Sequence, residues 1–176
     1  MNAEITYKQE PTGFSVKIKP RLSSAQLNII RLWIILWSLS GMIVIAQFFG
    51  SYPGNVKLLL LIWTAFWAYF LVKGINLYLW KTTGQEFIEI RNGEFRYTKN
   101  TGMKIVHQLL LTEEISRIET IDFKTAGGKW RADNSFISIG EPCITIESLN
   151  NKISFGFQIT EEDCIKIRKA IKKFSK

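Results

Sequence analysis

LWIILWSLSGMIVIAQFF, residues 32–49, runs for eighteen residues without a charge. As a helix it reaches roughly 27 Å, close to the hydrocarbon thickness of a bilayer. A second apolar run, residues 58–80, is interrupted only by Lys73 near its far end. Its uncharged part can cross the hydrocarbon, with the following residues extending through the headgroup layer while Lys73 reaches outward. The polar break between the runs contains Pro53, Gly54 and Asn55, which is turn chemistry. The expectation is a transmembrane helical hairpin over residues 25–81, with spans at about 27–49 and 56–80. A buried hairpin in a soluble α-helical protein would need a shell of amphipathic helices to cover segments that are apolar on every side. The sequence offers no such shell. Residues 1–24 are polar and the first run lacks a small-residue cleavage pattern, which argues against a cleaved signal peptide.

Lys8, Lys17, Lys19, Arg21 and Arg31 precede the first span and Lys81 follows the second, whereas the turn offers only Lys57. The positive-inside bias therefore places both termini in the cytoplasm, in a two-span protein of the inner (cytoplasmic) membrane. The formal net charge of +8 suits an anionic leaflet, so the lipid bilayer rather than nucleic acid is the expected charged partner. Cys143 and Cys164 lack a C-x-x-C arrangement and fall in the cytoplasmic part, where thiols stay reduced, so no disulfide is expected.

After Lys81 the composition becomes mixed, and residues 82–176 are enough for one small domain. Strand patterns cover residues 86–91 and 94–99 around the hairpin turn Asn92-Gly93. Others lie at 103–111, 117–123, 134–139, 143–148 and 152–159. In the last of these Ile153, Phe155, Phe157 and Ile159 alternate with polar or small residues. The period then changes. Thr160 to Asp163 has the form of a capping box, and Cys164, Ile167, Ile171 and Phe174 recur at helical spacing opposite a lysine-rich face. In the amino-terminal segment, residues 1–24, Phe14, Val16 and Ile18 alternate with polar residues. Residues 14–18 read either as a strand that joins the sheet or receives a partner strand, or as a basic arm on the leaflet.

Short strands followed by one closing amphipathic helix resemble the pleckstrin-homology (PH) superfold. The residues that carry the resemblance are 110–119, LLTEEISRIE, together with the strand and helix of 153–170. They are similar to bacterial membrane-anchored PH-like proteins of the YcxB-like and YdbT-like groups. The resemblance implies an α+β membrane protein: a two-helix hairpin followed by a PH-like antiparallel barrel or sheet domain with a C-terminal helix.

Groups that converge for chemistry are few. His107 is the only histidine. It shares strand parity with Ile105, Leu109 and Leu111 and reads as a partly buried, hydrogen-bonded side chain rather than a catalytic one. Glu113, Glu114, Glu161, Glu162 and Asp163 sit at turn or helix starts, where they cap and solvate. Gly128-Lys129 is not a phosphate loop, because Phe123 replaces the leading glycine and Trp130 the hydroxyl residue. Lys124, Lys129 and Arg131 around Trp130 suit a headgroup or a protein partner instead. The expectation is a non-enzymatic membrane-anchored adaptor or assembly protein without cofactor or metal, recruiting membrane or cytoplasmic proteins or a second copy of itself. The alternatives are an anionic-lipid sensor and a subunit of a small oligomeric channel or transporter accessory.

Overall fold

The computed structural model describes residues 3–121, 137–149 and 151–174. Two strands, β1 (Glu4–Glu10) and β2 (Gly13–Lys19), precede two long helices, α1 (Ser24–Gln47) and α2 (Gly54–Thr83). There follow β3 (Gln85–Arg91), β4 (Glu94–Asn100), β5 (Ile105–Leu111), β6 (Ile115–Thr120), β7 (Pro142–Ser148), β8 (Lys152–Phe157) and a closing helix, α3 (Glu161–Phe174). The chain divides into two compact units: residues 23–78, and residues 1–22 together with 79–176.

In the helical unit, Ser23 caps α1. Its hydroxyl accepts from the Gln26 amide at 3.3 Å, and the Gln26 side chain accepts from the Ser23 amide at 3.1 Å. Both helices are long and apolar enough to cross a membrane, yet only 11% and 6% of their most apolar windows is buried. Core helices of a soluble protein are instead mostly covered. The helices are joined by tryptophans. The Trp37 indole donates to the Trp67 carbonyl at 3.0 Å, and the Trp67 indole donates to the Trp37 carbonyl at 2.7 Å. This reciprocal pair satisfies both indole N–H groups without water. Gly41 permits the approach, since a Cβ there would stand 1.9 Å from the Trp67 ring. Arg31 donates to the Tyr78 hydroxyl at 3.0 Å.

The sheet unit contains two antiparallel sheets, one ordered β1-β2-β3-β4-β5 and the other β6-β7-β8. Their inner faces and α3 share one core, in which Val16, Ile88, Phe95, Ile144, Ile146, Phe155, Ile167 and Ile171 are all fully buried. At about 1.5–3 kcal/mol per large apolar side chain, this cluster is the main stabilising term of the unit. Phe155 bridges the sheets, with its ring centroid 5.9 Å from that of Phe95 and 5.7 Å from that of Tyr97. The amide of Asp163 donates to the Thr160 hydroxyl at 3.1 Å, and the Tyr7 hydroxyl reaches the Asp163 carboxylate at 3.1 Å, which fastens β1 to the start of α3.

Residues 14–18 join the sheet as a strand, one of the two readings left open by the sequence: β2 pairs with β3 from Gly13↔Arg91 to Ile18↔Glu86, and β1 pairs with β2. The unit expected at residues 82–176 therefore also takes in residues 1–22, and other expectations are corrected. No closed barrel forms among the described residues, which make two separate sheets. Residues 137–139, the described part of the expected strand at 134–139, are turn and irregular chain. Cys143 and Cys164 are joined in a disulfide between β7 and α3, because β7 packs under the first turn of α3 and both sulfurs face the core. The parity of β5 is also reversed. Leu110 is the inward residue, opposite Phe95, while Ile105, Leu109 and Leu111 are exposed.

Candidate functional site

The reversed parity of β5 turns apolar side chains outward. Its register places His107 beside Thr98, Leu109 beside Arg96 and Leu111 beside Glu94 on the outer face. Ile105 and Leu109 are each 55% exposed, and Met103 just before the strand is 67% exposed. Among the described residues β5 is an edge of its sheet and, reading IVHQLLL, it carries no formal charge and no proline. The opposite edge, β1, carries Glu4, Lys8 and Glu10, with Lys8 and Glu10 paired at 2.9 Å. Charged residues on an edge discourage pairing with foreign strands; β1 has this protection and β5 lacks it. Next to β5 the surface turns polar. Arg96 pairs with Glu94 at 2.6 Å, and Glu89, Arg91, Asn92, Glu94 and Arg96 line an open hollow of about 300 Å³. The outer face of β5 is thus apolar along the strand and polar at its flank.

The second notable feature lies deep in the core. Glu86, at the start of β3, has no solvent exposure. One carboxylate oxygen accepts from the Tyr97 hydroxyl at 2.5 Å, and the other accepts from the Gly156 and Phe157 amides at 3.0 and 3.1 Å. Glu86 thus ties the first sheet to the end of β8. Burial pushes its carboxyl above the ordinary value, against the opposing pull of the Tyr97 hydroxyl, the Phe157 amide, Lys99 and the Gly156 amide. Burial and the neighbouring Glu86 also push the Tyr97 phenol well up. Lys99 is held below its ordinary value by burial, partly offset by Glu86, and its ammonium lies 3.6 Å from the Phe157 ring centroid and 5.0 Å from that of Trp80. A carboxylate enclosed on every side meets no substrate, so its chemistry here is structural.

The residues singled out from the sequence fall as follows. Phe14, Val16 and Ile18 lie in β2, buried in the core, with β1 on one side and β3 on the other. Both edges of that strand are occupied within the chain, so it does not receive a partner strand. Lys124, Lys129, Trp130 and Arg131 lie outside the described residues. His107 is exposed rather than partly buried, with Nδ1 3.0 Å from the Thr98 hydroxyl. Among the described residues no group of three or more His, Cys, Asp and Glu side chains is arranged to hold a metal. Neither the β5 surface nor the Glu86 tie was legible beforehand. The absence of charge along residues 105–111 was the available signal for the first. Glu86 stands out only once β8 is seen beside it. No family model and no curated protein matches this chain.

Proposed function

We propose that this protein is a non-enzymatic, membrane-anchored adaptor or assembly factor whose sheet unit is PH-like and docks protein partners along β5. The observation that carries the reading is the uncharged, apolar edge of β5, in contrast to the charged edge of β1. Strand addition there would give a partner main-chain hydrogen bonds from β5, with Ile105, Leu109 and Leu111 supplying apolar contacts. The PH-like reading is supported by the strand count once β2 is included: β2 to β5 form four strands, β6 to β8 form three, and α3 closes the core. In this reading the helical hairpin is an insertion between the first and second of seven strands, and β1 is an extra strand outside them. The membrane reading is supported by the length, composition and exposure of α1 and α2, and the cytoplasmic placement by the basic residues that flank them.

The test is co-purification of the tagged full chain after mild detergent extraction, compared with the double variant Ile105→Lys, Leu109→Lys. Both positions face outward, so the fold should survive while strand pairing is blocked. Partners should be lost from this variant and retained by a Thr6→Lys control on β1. Undiminished partner recovery by the folded double variant would sink the β5 assignment.

A further inference from the structure

On α2, Ala65, Tyr69 and Lys73 follow one another at four-residue spacing, which aligns them on one face. Ala65, Phe66, Tyr69 and Phe70 line an open groove of about 320 Å³ whose walls are almost entirely carbon. The small side chain of Ala65 leaves the hollow, and Tyr69 and Phe70, in edge-to-face contact at 5.3 Å, form its wall. At the end of this face the Lys73 ammonium lies 5.5 Å from the Tyr69 ring centroid. The uncharged run between Lys57 and Lys73 rises roughly 22 Å. With Lys57 in one headgroup layer, Lys73 stands on the turn of α2 nearest the other, and swinging its flexible stem away from the Tyr69 ring carries the ammonium to the headgroups.

A groove that is apolar through the hydrocarbon and cationic at the headgroup level is complementary to a molecule with an acyl chain and an anionic head. A second helix fits poorly, because close helix contacts use small residues at four-residue intervals and here Tyr69 follows Ala65. We infer that this face of α2 binds an anionic phospholipid, with one acyl chain along Ala65, Phe66, Tyr69 and Phe70 and the headgroup phosphate paired with Lys73. The inference rests on α2 spanning the membrane, and its test separates the two.

The full chain is extracted in mild detergent and offered phosphatidylglycerol and phosphatidylcholine of identical acyl chains, and retained lipid is read by native mass spectrometry. The wild-type protein should prefer phosphatidylglycerol. Lys73→Gln should reduce that preference about five-fold, the effect of one lysine near a charged surface. Lys57→Gln, at the other end of the helix, should leave it unchanged. Ala65→Phe should fill the groove and reduce retention of both lipids. An unchanged preference in Lys73→Gln overturns the site, and so does an equal fall in Lys57→Gln. A change of oligomeric state in Ala65→Phe without loss of lipid would give the face to a second copy and also overturn it. Membrane retention under alkaline carbonate washing is measured on each variant. Loss of the wild-type protein to the wash removes the spanning reading itself, whereas retention with no lipid preference removes only the site.

Discussion

Glu86 accepts three hydrogen bonds inside an apolar core, and its variants separate shape from charge. Glu86→Gln keeps an acceptor for the Gly156 and Phe157 amides and turns a donor toward Tyr97, so the fold should persist. Glu86→Ala strands two backbone amides and a phenol, at about 1–3 kcal/mol for each buried unsatisfied group, and should lower the melting temperature by many degrees. The folded carboxyl is raised above its unfolded value by burial. Its contribution to stability is therefore full below the unfolded carboxylate pKa and is lost as pH rises through the folded one. Melting curves of the full chain in detergent between mildly acidic and neutral pH should show this decline in the wild-type protein and less of it in Glu86→Gln. An identical pH response in both would remove Glu86 as the cause. Gly156 has φ +81°, and a Cβ there would meet Ile159 at 3.0 Å. Gly156→Ala should accordingly destabilise by about 1–2 kcal/mol in denaturant titration. The Cys143–Cys164 disulfide is unusual for a unit proposed to face the cytoplasm. Both sulfurs are buried, which closes them to attack by outside thiolates while the core is shut. Alkylation of the denatured chain should find both blocked until a reductant is added.

At the scale of elements, α3 and β2 hold the sheet unit together. Ile167 and Ile171 are fully buried on one face of α3. Changing either to Ala should destabilise the unit by about 2–5 kcal/mol, measurable as a shift in denaturant midpoint. Residues 82–176 alone lack β2 and with it Phe14, Val16 and Ile18, so that fragment should not fold cooperatively. Joining residues 1–22 to 79–176 through a flexible linker should restore cooperative melting. Equal stability of the two fragments would deny β2 its place in the core. The helices were readable because their apolar runs are long, and β3, β4, β7 and α3 because alternation or helical spacing is clear in each; β8 follows its expected alternation only through Phe155, since Gly156 at φ +81° breaks it and the strand ends at Phe157 rather than Ile159. β1 was not readable, since Thr6, Lys8 and Gln9 leave only Ile5 and Tyr7 as apolar markers. The inner face of β5 was misassigned because IVHQLLL is apolar on both parities, and only pairing with β4 selects Leu110. Residues 137–139 carry two isoleucines at strand spacing, yet they precede Gly140 at φ +90° and form no ladder.

For the whole molecule, the pairing of β2 with β3 constrains topology independently of charge. One strand enters the hairpin and the other leaves it, and they share a ladder from Gly13↔Arg91 to Ile18↔Glu86. If α1 and α2 cross a membrane, both flanks must lie on the same side. Reporter fusions before Met1 and after Lys176 should therefore report the same compartment, and a reporter inserted at Asn55 the opposite one. The same ladder also orders events during synthesis. β2 leaves the ribosome well before β3, and its partner arrives only after both helices have emerged. A chain in which one helix failed to cross would hold β2 and β3 in different compartments, with Phe14, Val16 and Ile18 exposed on one side and Ile88 and Ile90 on the other. Correct insertion thus becomes a condition for folding, and a misinserted chain presents the open apolar surface that cellular proteases recognise.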